Sequence, residues 1–160
     1  ERLYTRLSAA YKGINVLILR EGAKDFFWQM DVQELDNQGI DLDIHHIFPK
    51  AWCMQNGIDS RLYDNVINKT PISFKANRKI GGNAPSEYLE KLQNEPQVQA
   101  NDQQMDQILA THLIPAETLR ANDFASFYQQ RQQLLMGKIY EVMGKADVEQ
   151  NSEEPAFHES

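Results

Sequence analysis

The segment Asp43-Ile44-His45-His46-Ile47-Phe48-Pro49 gathers groups that bind cations and move protons. A neutral imidazole is both a good metal ligand and a base suited to pH 7. If the segment is extended, alternation puts Asp43 and His45 on one face and turns His46 another way. One imidazole can then hold a metal while its neighbour faces a substrate. Downstream lie Asn68 in INKTPIS and Asn77 in FKANRK, with Arg78 and Lys79 directly after Asn77. An amide oxygen is a neutral ligand compatible with Mg²⁺ or Mn²⁺. Lys75, Arg78 and Lys79 suit phosphate oxygens, contacts that position a nucleic acid without specifying its sequence. Taken alone, a His-His pair is more often structural, Asn68 a turn or cap residue, and the three cations a solvated helix face.

Several elements must position these groups. Ile40–His46 alternates as a short strand, with Ile40, Leu42 and Ile44 on one face and Asp41, Asp43 and His45 on the other. Pro49 ends it, and a short helix over Lys50–Asn56 is closed by Gly57. Ser60–Asp64 predicts a helical turn, and Val66–Ser73 a second strand with Pro71 at an edge or end. Ser73 is placed as the N-cap of a helix to Lys79, which Gly81-Gly82 closes. Pro85 opens another helix to Gln93. Two strands and the helix after them would bring His45, His46 and Asn77 together.

Helices are expected elsewhere. Leu3, Tyr4, Leu7 and Tyr11 share a helical face, and residues 14–19 are read as a helix, with a buried strand as the alternative. Met105, Ile108, Leu109 and Leu113 form one apolar face. A long helix from Asp123 to about Lys145 carries Phe124, Phe127, Tyr128, Leu135, Ile139, Val142 and Met143 as its core stripe. His112 lies on an apolar face and is read as structural; Trp28, Trp52 and Cys53 are read as packing residues. The acidic segment 147–160 is expected to be a disordered tail, leaving 1–146 as one domain.

DIHHIFP, followed by NKTPISFKANRKIGGNAPSEYL, resembles the HNH, or ββα-metal, nucleases. More closely, it is similar to the C-terminal HNH domain of GmrSD-type, modification-dependent restriction enzymes. The resemblance covers about residues 40–92, and the upstream AAYKGINVLILREGAKDF is also similar to the segment before that motif. It implies an α+β fold: a ββα-metal core with two short antiparallel strands, embedded in a mostly helical domain. It implies His45 and Asn77 as metal ligands, with Asp43 coordinating directly or through water. His46 becomes the general base, and Asn68, preferred over Asn65 for its spacing to Asn77, organises the loop and supports His46. One divalent ion is implied, Mg²⁺ or Mn²⁺, with His45 admitting Ni²⁺ or Zn²⁺ because the commoner first ligand is an acid. The implied activity is DNA cleavage or nicking in prokaryotic defence against foreign or modified DNA. The implied partner besides DNA is an N-terminal nucleotide-hydrolysing domain of the same parent protein. The CxxC pairs of many HNH domains are absent, so helix packing must hold this fold.

Composition bounds these readings. A chain of 160 residues with 41% hydrophobic and 24% charged residues suits one globular domain. The first residue is not Met, which suggests a fragment of a longer protein, and no signal peptide is seen. The longest apolar run, Val16–Leu19, falls far short of the ~20 residues of a membrane helix. A single cysteine excludes an internal disulfide and fits a cytoplasmic setting. The net charge of −7 runs against a nucleic-acid partner. However, five acids and no Lys or Arg lie in 147–160, and the stretch Arg61–Lys91 has a local net of +3. Two other readings remain open. One is a catalytically idle DNA-binding or domain-docking module; the other is an RNA-directed nuclease or a toxin nuclease, although toxin nuclease domains tend to be strongly basic.

Overall fold

Pro49, Ser73, Gly81 and Pro85 punctuate the chain where their backbone preferences place them, and the elements between them build the central part of the molecule. The computed structural model describes residues 9 and 12–153. Helices α1 (Ile14–Arg20) and α2 (Val32–Asn37) lead into strand β1 (Leu42–His46). Next come α3 (Lys50–Gln55), α4 (Ser60–Tyr63), a 3-10 turn over Val66–Asn68, β2 (Lys69–Ser73) and α5 (Phe74–Ile80). The remainder is α6 (Pro85–Asn94), α7 (Asp102–Thr111), α8 (Ala116–Arg120) and the long α9 (Phe124–Glu153). The fold is therefore α+β, as expected, with one two-stranded antiparallel sheet among helices.

Local chemistry accounts for the boundaries around the sheet. The Ser73 hydroxyl accepts from the Ala76 amide at 3.1 Å and caps α5. Gly81 then leaves the helix at φ +58°, a conformation that costs a side-chain-bearing residue. Pro85 occupies the first turn of α6, where its missing N–H is no loss. β1 and β2 pair with Ile44 opposite Pro71 and His45 opposite Thr70. Each strand has a free edge, so Pro71 interrupts no ladder beyond β1. Helix α5 follows β2 without a loop and packs back on both strands.

On β1 it is the polar face that is covered. Ile44 is 48% exposed whereas His45 is 2% exposed. Alternation identifies two faces but does not say which will be covered. Here α5 and the rings of Phe26 and Tyr88 cover the polar face, whose side chains satisfy one another. The expected strand Val66–Ser73 is also shortened, because its first three residues form the 3-10 turn. The Asn65 side chain holds that turn by accepting from the Ile67 amide.

The main core joins Phe26, Ile47, Phe48, Ile72, Ile80, Tyr88, Leu92, Leu109 and Phe127. A smaller cluster joins Ile14, Ile18, Ile67, Leu135 and Ile139. The expected stripe of α9 spans both, with buried Arg131 in its middle. That helix runs to Glu153, into the segment expected to be a tail. The face expected from Leu3 to Tyr11, and residues 154–160 with His158, lie outside the described residues. No helix among the described residues is long and apolar enough to cross a membrane.

Candidate functional site

Asp43 and His45, two residues apart on β1, face α5, and Asn77 on that helix bridges them. Its Nδ2 donates to Asp43 Oδ2 at 3.2 Å, which turns Oδ1 to accept from the Nδ1–H of His45 at 3.1 Å. A carboxylate can only accept, so this assignment sets the amide's orientation. Burial lowers the His45 pKa to about 3, which keeps the imidazole neutral and able to ligate. Its Nε2 is buried with no hydrogen-bond partner, and the ring lies edge-on to Phe26 and Tyr88, at 6.0 and 5.7 Å between centroids.

A carboxylate, an amide oxygen and an imidazole are ligand types that a divalent cation takes. His45 Nδ1 and Asn77 Oδ1 stand 3.1 Å apart, about the spacing of ligands at right angles on an ion with ~2.1 Å bonds, and Nδ1 would ligate only with its proton moved to Nε2. Among the described residues there is no group of three or more His, Cys, Asp or Glu that could hold a metal ion. The set at 43, 45 and 77 combines one carboxylate and one imidazole with an amide.

His46 is directed elsewhere. It is the last residue of β1, pairs with Lys69, and its Nε2 lies 2.9 Å from Asp64 Oδ1. Because the carboxylate accepts, Nε2 carries the proton and Nδ1 is left as the basic nitrogen. The same hydrogen bond holds the Asp64 carboxyl below its ordinary pKa. Asp43, His45 and Asn77 thus come together on the α5 side, and His46 meets Asp64 on the other. Asp64 has no sequence signature. It comes directly after the α4 turn, and only the folding of that turn against the end of β1 brings it to His46. Beside this pair, a hollow of about 550 Å³ is lined by Lys12, Asn15, Ile44, Asp64, Val66 and Lys69.

Asn68 is fully buried and stitches the chain after His46 to its surroundings. Its Oδ1 accepts from the Phe48 amide at 2.9 Å, and its Nδ2 donates to the carbonyls of Phe48 and Tyr63, each at 3.0 Å. Its own carbonyl accepts from the Ile47 amide at 2.8 Å. Asn65, its rival in the sequence, is a local cap. Asn68→Ala is expected to cost about 2–3 kcal/mol, because it leaves a buried amide and two carbonyls short of partners. Urea unfolding would read this as a lower midpoint at unchanged slope, and a loss under about 0.5 kcal/mol would remove Asn68 from this role.

Other supports carry no mark in the sequence. The Tyr88 hydroxyl donates to the Ile47 carbonyl at 2.7 Å. Buried Asp25 accepts from the Ser73 amide and hydroxyl at 2.6 and 2.9 Å, anchoring the residue that caps α5. His112 is structural, as expected. Its Nε2 lies 2.7 Å from the Lys24 carbonyl, to which it donates, and Thr70 Oγ1 lies 2.6 Å from Nδ1. Burial lowers its pKa to about 4. Cys53 is buried, and desolvation raises its thiol pKa to about 11.

The three cations of α5 differ in setting. Lys75 Nζ lies over the rings of Phe27 and Trp28, at 4.7 and 5.0 Å from their centroids. Arg78 lies over Phe74 at 5.4 Å. Lys79 is paired with Glu95 at 3.2 Å. With Phe74 they line a second hollow of about 500 Å³.

The class these observations define is an α+β domain in which a strand pair and the helix packed on it assemble a carboxylate–amide–imidazole cluster. No protein-family model matches the chain, and no solved structure matches it significantly. A protein of Methanocaldococcus jannaschii described as uncharacterized is 30% identical over 158 residues, which cover 85% of this chain and 26% of that protein. The chain therefore spans about a quarter of the length of that relative.

Proposed function

We propose that this domain is an HNH-type, metal-dependent endonuclease that cleaves or nicks DNA, with His46 as general base. The observation that carries the reading is the Asp43–Asn77–His45 chain, a carboxylate, an amide and an imidazole hydrogen-bonded in series. It is supported by the free nitrogen left on His46 by its bond to Asp64, and by the resemblance of DIHHIFP and the downstream asparagines to that family.

Asp43, His45 and Asn77 would hold the ion, Mg²⁺ or Mn²⁺, with Ni²⁺ or Zn²⁺ as further candidates given the imidazole ligand. A cation bound there supplies positive charge to the phosphate and to the departing oxygen. His46 terminates β1, so a phosphodiester lying across the strand end would border His46 and Asp64. His46 Nδ1 takes a proton from water as the water oxygen bonds to phosphorus. The phosphorus–oxygen bond to the departing sugar then breaks, and that oxygen takes up a proton. Asp64 holds the imidazole orientation and stabilises its protonated form. Asn68 keeps the backbone behind His46 in place. In the whole protein, the resemblance assigns this domain to prokaryotic DNA defence in the cytoplasm, beside a nucleotide-hydrolysing domain.

The test is a supercoiled-plasmid assay in Mg²⁺, Mn²⁺ and EDTA, with an RNA of matched length in parallel. Relaxed or linear DNA is expected with metal and intact plasmid in EDTA. Asn77→Ala is expected to raise the Mn²⁺ concentration needed for half-maximal rate by at least about 10-fold. Intact plasmid under every metal condition, or equal cleavage in EDTA, would exclude the proposal; preferential cleavage of RNA would replace DNA as the substrate.

A further inference from the structure

The cations of α5 are interleaved with exposed aromatic rings. Trp28 is 38% exposed and Phe74 45% exposed, and Met30, in the same turn as Trp28, is 41% exposed. Arg78 lies over Phe74, and Lys75 lies over Phe27 and Trp28. Neither Arg78 nor Lys75 has an ion-pair partner among the described residues. A patch meant only for duplex phosphates gains nothing from exposed rings, whose burial against water would be favourable.

Helix geometry orders the members of this patch. At about 100° per residue, Phe74 and Arg78 fall within about 60–100° of Asn77, whereas Lys75 and Lys79 fall about 160° from it. Phe74 and Arg78 are therefore the members on the side of the donor cluster. Glu95 already neutralises Lys79. An exposed ring backed by a guanidinium, beside a hollow of about 500 Å³, suits a flat aromatic ligand attached to an anion. An unpaired nucleotide has that chemistry, with a base to stack and a phosphate for the cation. Stacked duplex bases have no free face to offer.

We infer that Phe74, with Arg78, forms a stacking platform for an unpaired base of single-stranded DNA beside the cleavage site. The inference rests on nucleic acid being the substrate, and it narrows that substrate to DNA with unpaired nucleotides next to the cut. Arg78 holds the neighbouring phosphate, and Trp28 with Lys75 continues the platform along the strand.

Binding is measured in EDTA, so that the result does not depend on cleavage. A labelled single-stranded DNA oligonucleotide and its duplex are titrated with the full chain by fluorescence anisotropy. Wild type is expected to bind the single strand more tightly. Phe74→Ala is expected to weaken single-strand binding about 10-fold and duplex binding less than about 2-fold, while Phe74→Trp retains single-strand binding. Arg78→Gln should weaken both and lower the slope of log affinity against log salt by about one. Phe74 is half exposed, and unchanged melting of each variant verifies the fold. Unchanged single-strand binding in Phe74→Ala overturns the inference, and would leave this surface to a protein contact. Equal losses on single strand and duplex also overturn it. Phe74-dependent binding without metal-dependent cleavage would retain the platform and reject the nuclease; cleavage without a Phe74 effect would do the reverse.

Discussion

His46→Ala is expected to abolish metal-dependent plasmid nicking while leaving the fold intact. The His46 side chain is 28% exposed and, among the described residues, its side-chain hydrogen bond is to Asp64, itself 50% exposed. An exposed pair of this kind contributes within about 1 kcal/mol to stability, so the variant should melt within a few degrees of wild type. A positioned general base contributes about 10²–10⁴-fold to a rate. Asp64→Asn should be milder, because an amide can still bond the imidazole through its oxygen but no longer stabilises its protonated form. The two variants therefore separate proton abstraction from orientation. Single-turnover nicking at saturating Mn²⁺ provides the measurement. A His46→Ala rate within a few-fold of wild type would remove His46 from the mechanism, and the nearby Asp43, His45 and Asn77 set would need another base.

Arg131→Met is expected to be the most damaging single substitution for stability, at about 4–5 kcal/mol. Arg131 is fully buried on the inner face of α9. Its Nη1 donates to the carbonyls of Val66, Ile67 and Lys69, at 3.2, 2.6 and 2.9 Å, and its Nη2 donates to the His112 carbonyl at 3.1 Å. Burial lowers its pKa to about 9, which still leaves it charged at neutral pH. The charge is thus balanced by carbonyl dipoles, and the guanidinium ties the turn that carries Asn68 to the long helix. Methionine fills much of the volume but strands those carbonyls. Lysine restores the charge from a single point, without the planar fork, and should recover only part of the loss. Denaturant unfolding at pH 7 would measure both variants. A cost below about 1 kcal/mol for Arg131→Met would show that the carbonyls find other partners.

Much of the candidate site is legible in the sequence because its members obey local rules. Pro49 and Gly57 bound a helix, Ser73 caps another, Gly81 ends that one and Pro85 opens the next. Asp43 and His45 share a face because strand alternation requires it. Asn68 could be distinguished from Asn65 only by motif spacing, and its burial and backbone hydrogen bonds carry no local mark. The hidden features depend on neighbours remote in the chain. Arg131 sits 62 residues from Lys69, whose carbonyl it binds, and Asp25 sits 48 residues from Ser73. No periodicity marks such a pair, because each member satisfies its own element's pattern or violates it without local sign.

Taken by itself, the order of residues determined the α+β class, the element order around the sheet, and the presence of carboxylate, imidazole and amide groups at spacings that can meet. Those features arise from backbone sterics, capping and two short periodicities, all of which act within a few residues. Tertiary structure alone decided that the polar face of β1 is the covered one, that His46 turns to Asp64, and that Arg131 secures the loop behind the site. Each of these outcomes depends on which surfaces lose water, and that is determined only when remote segments pack together.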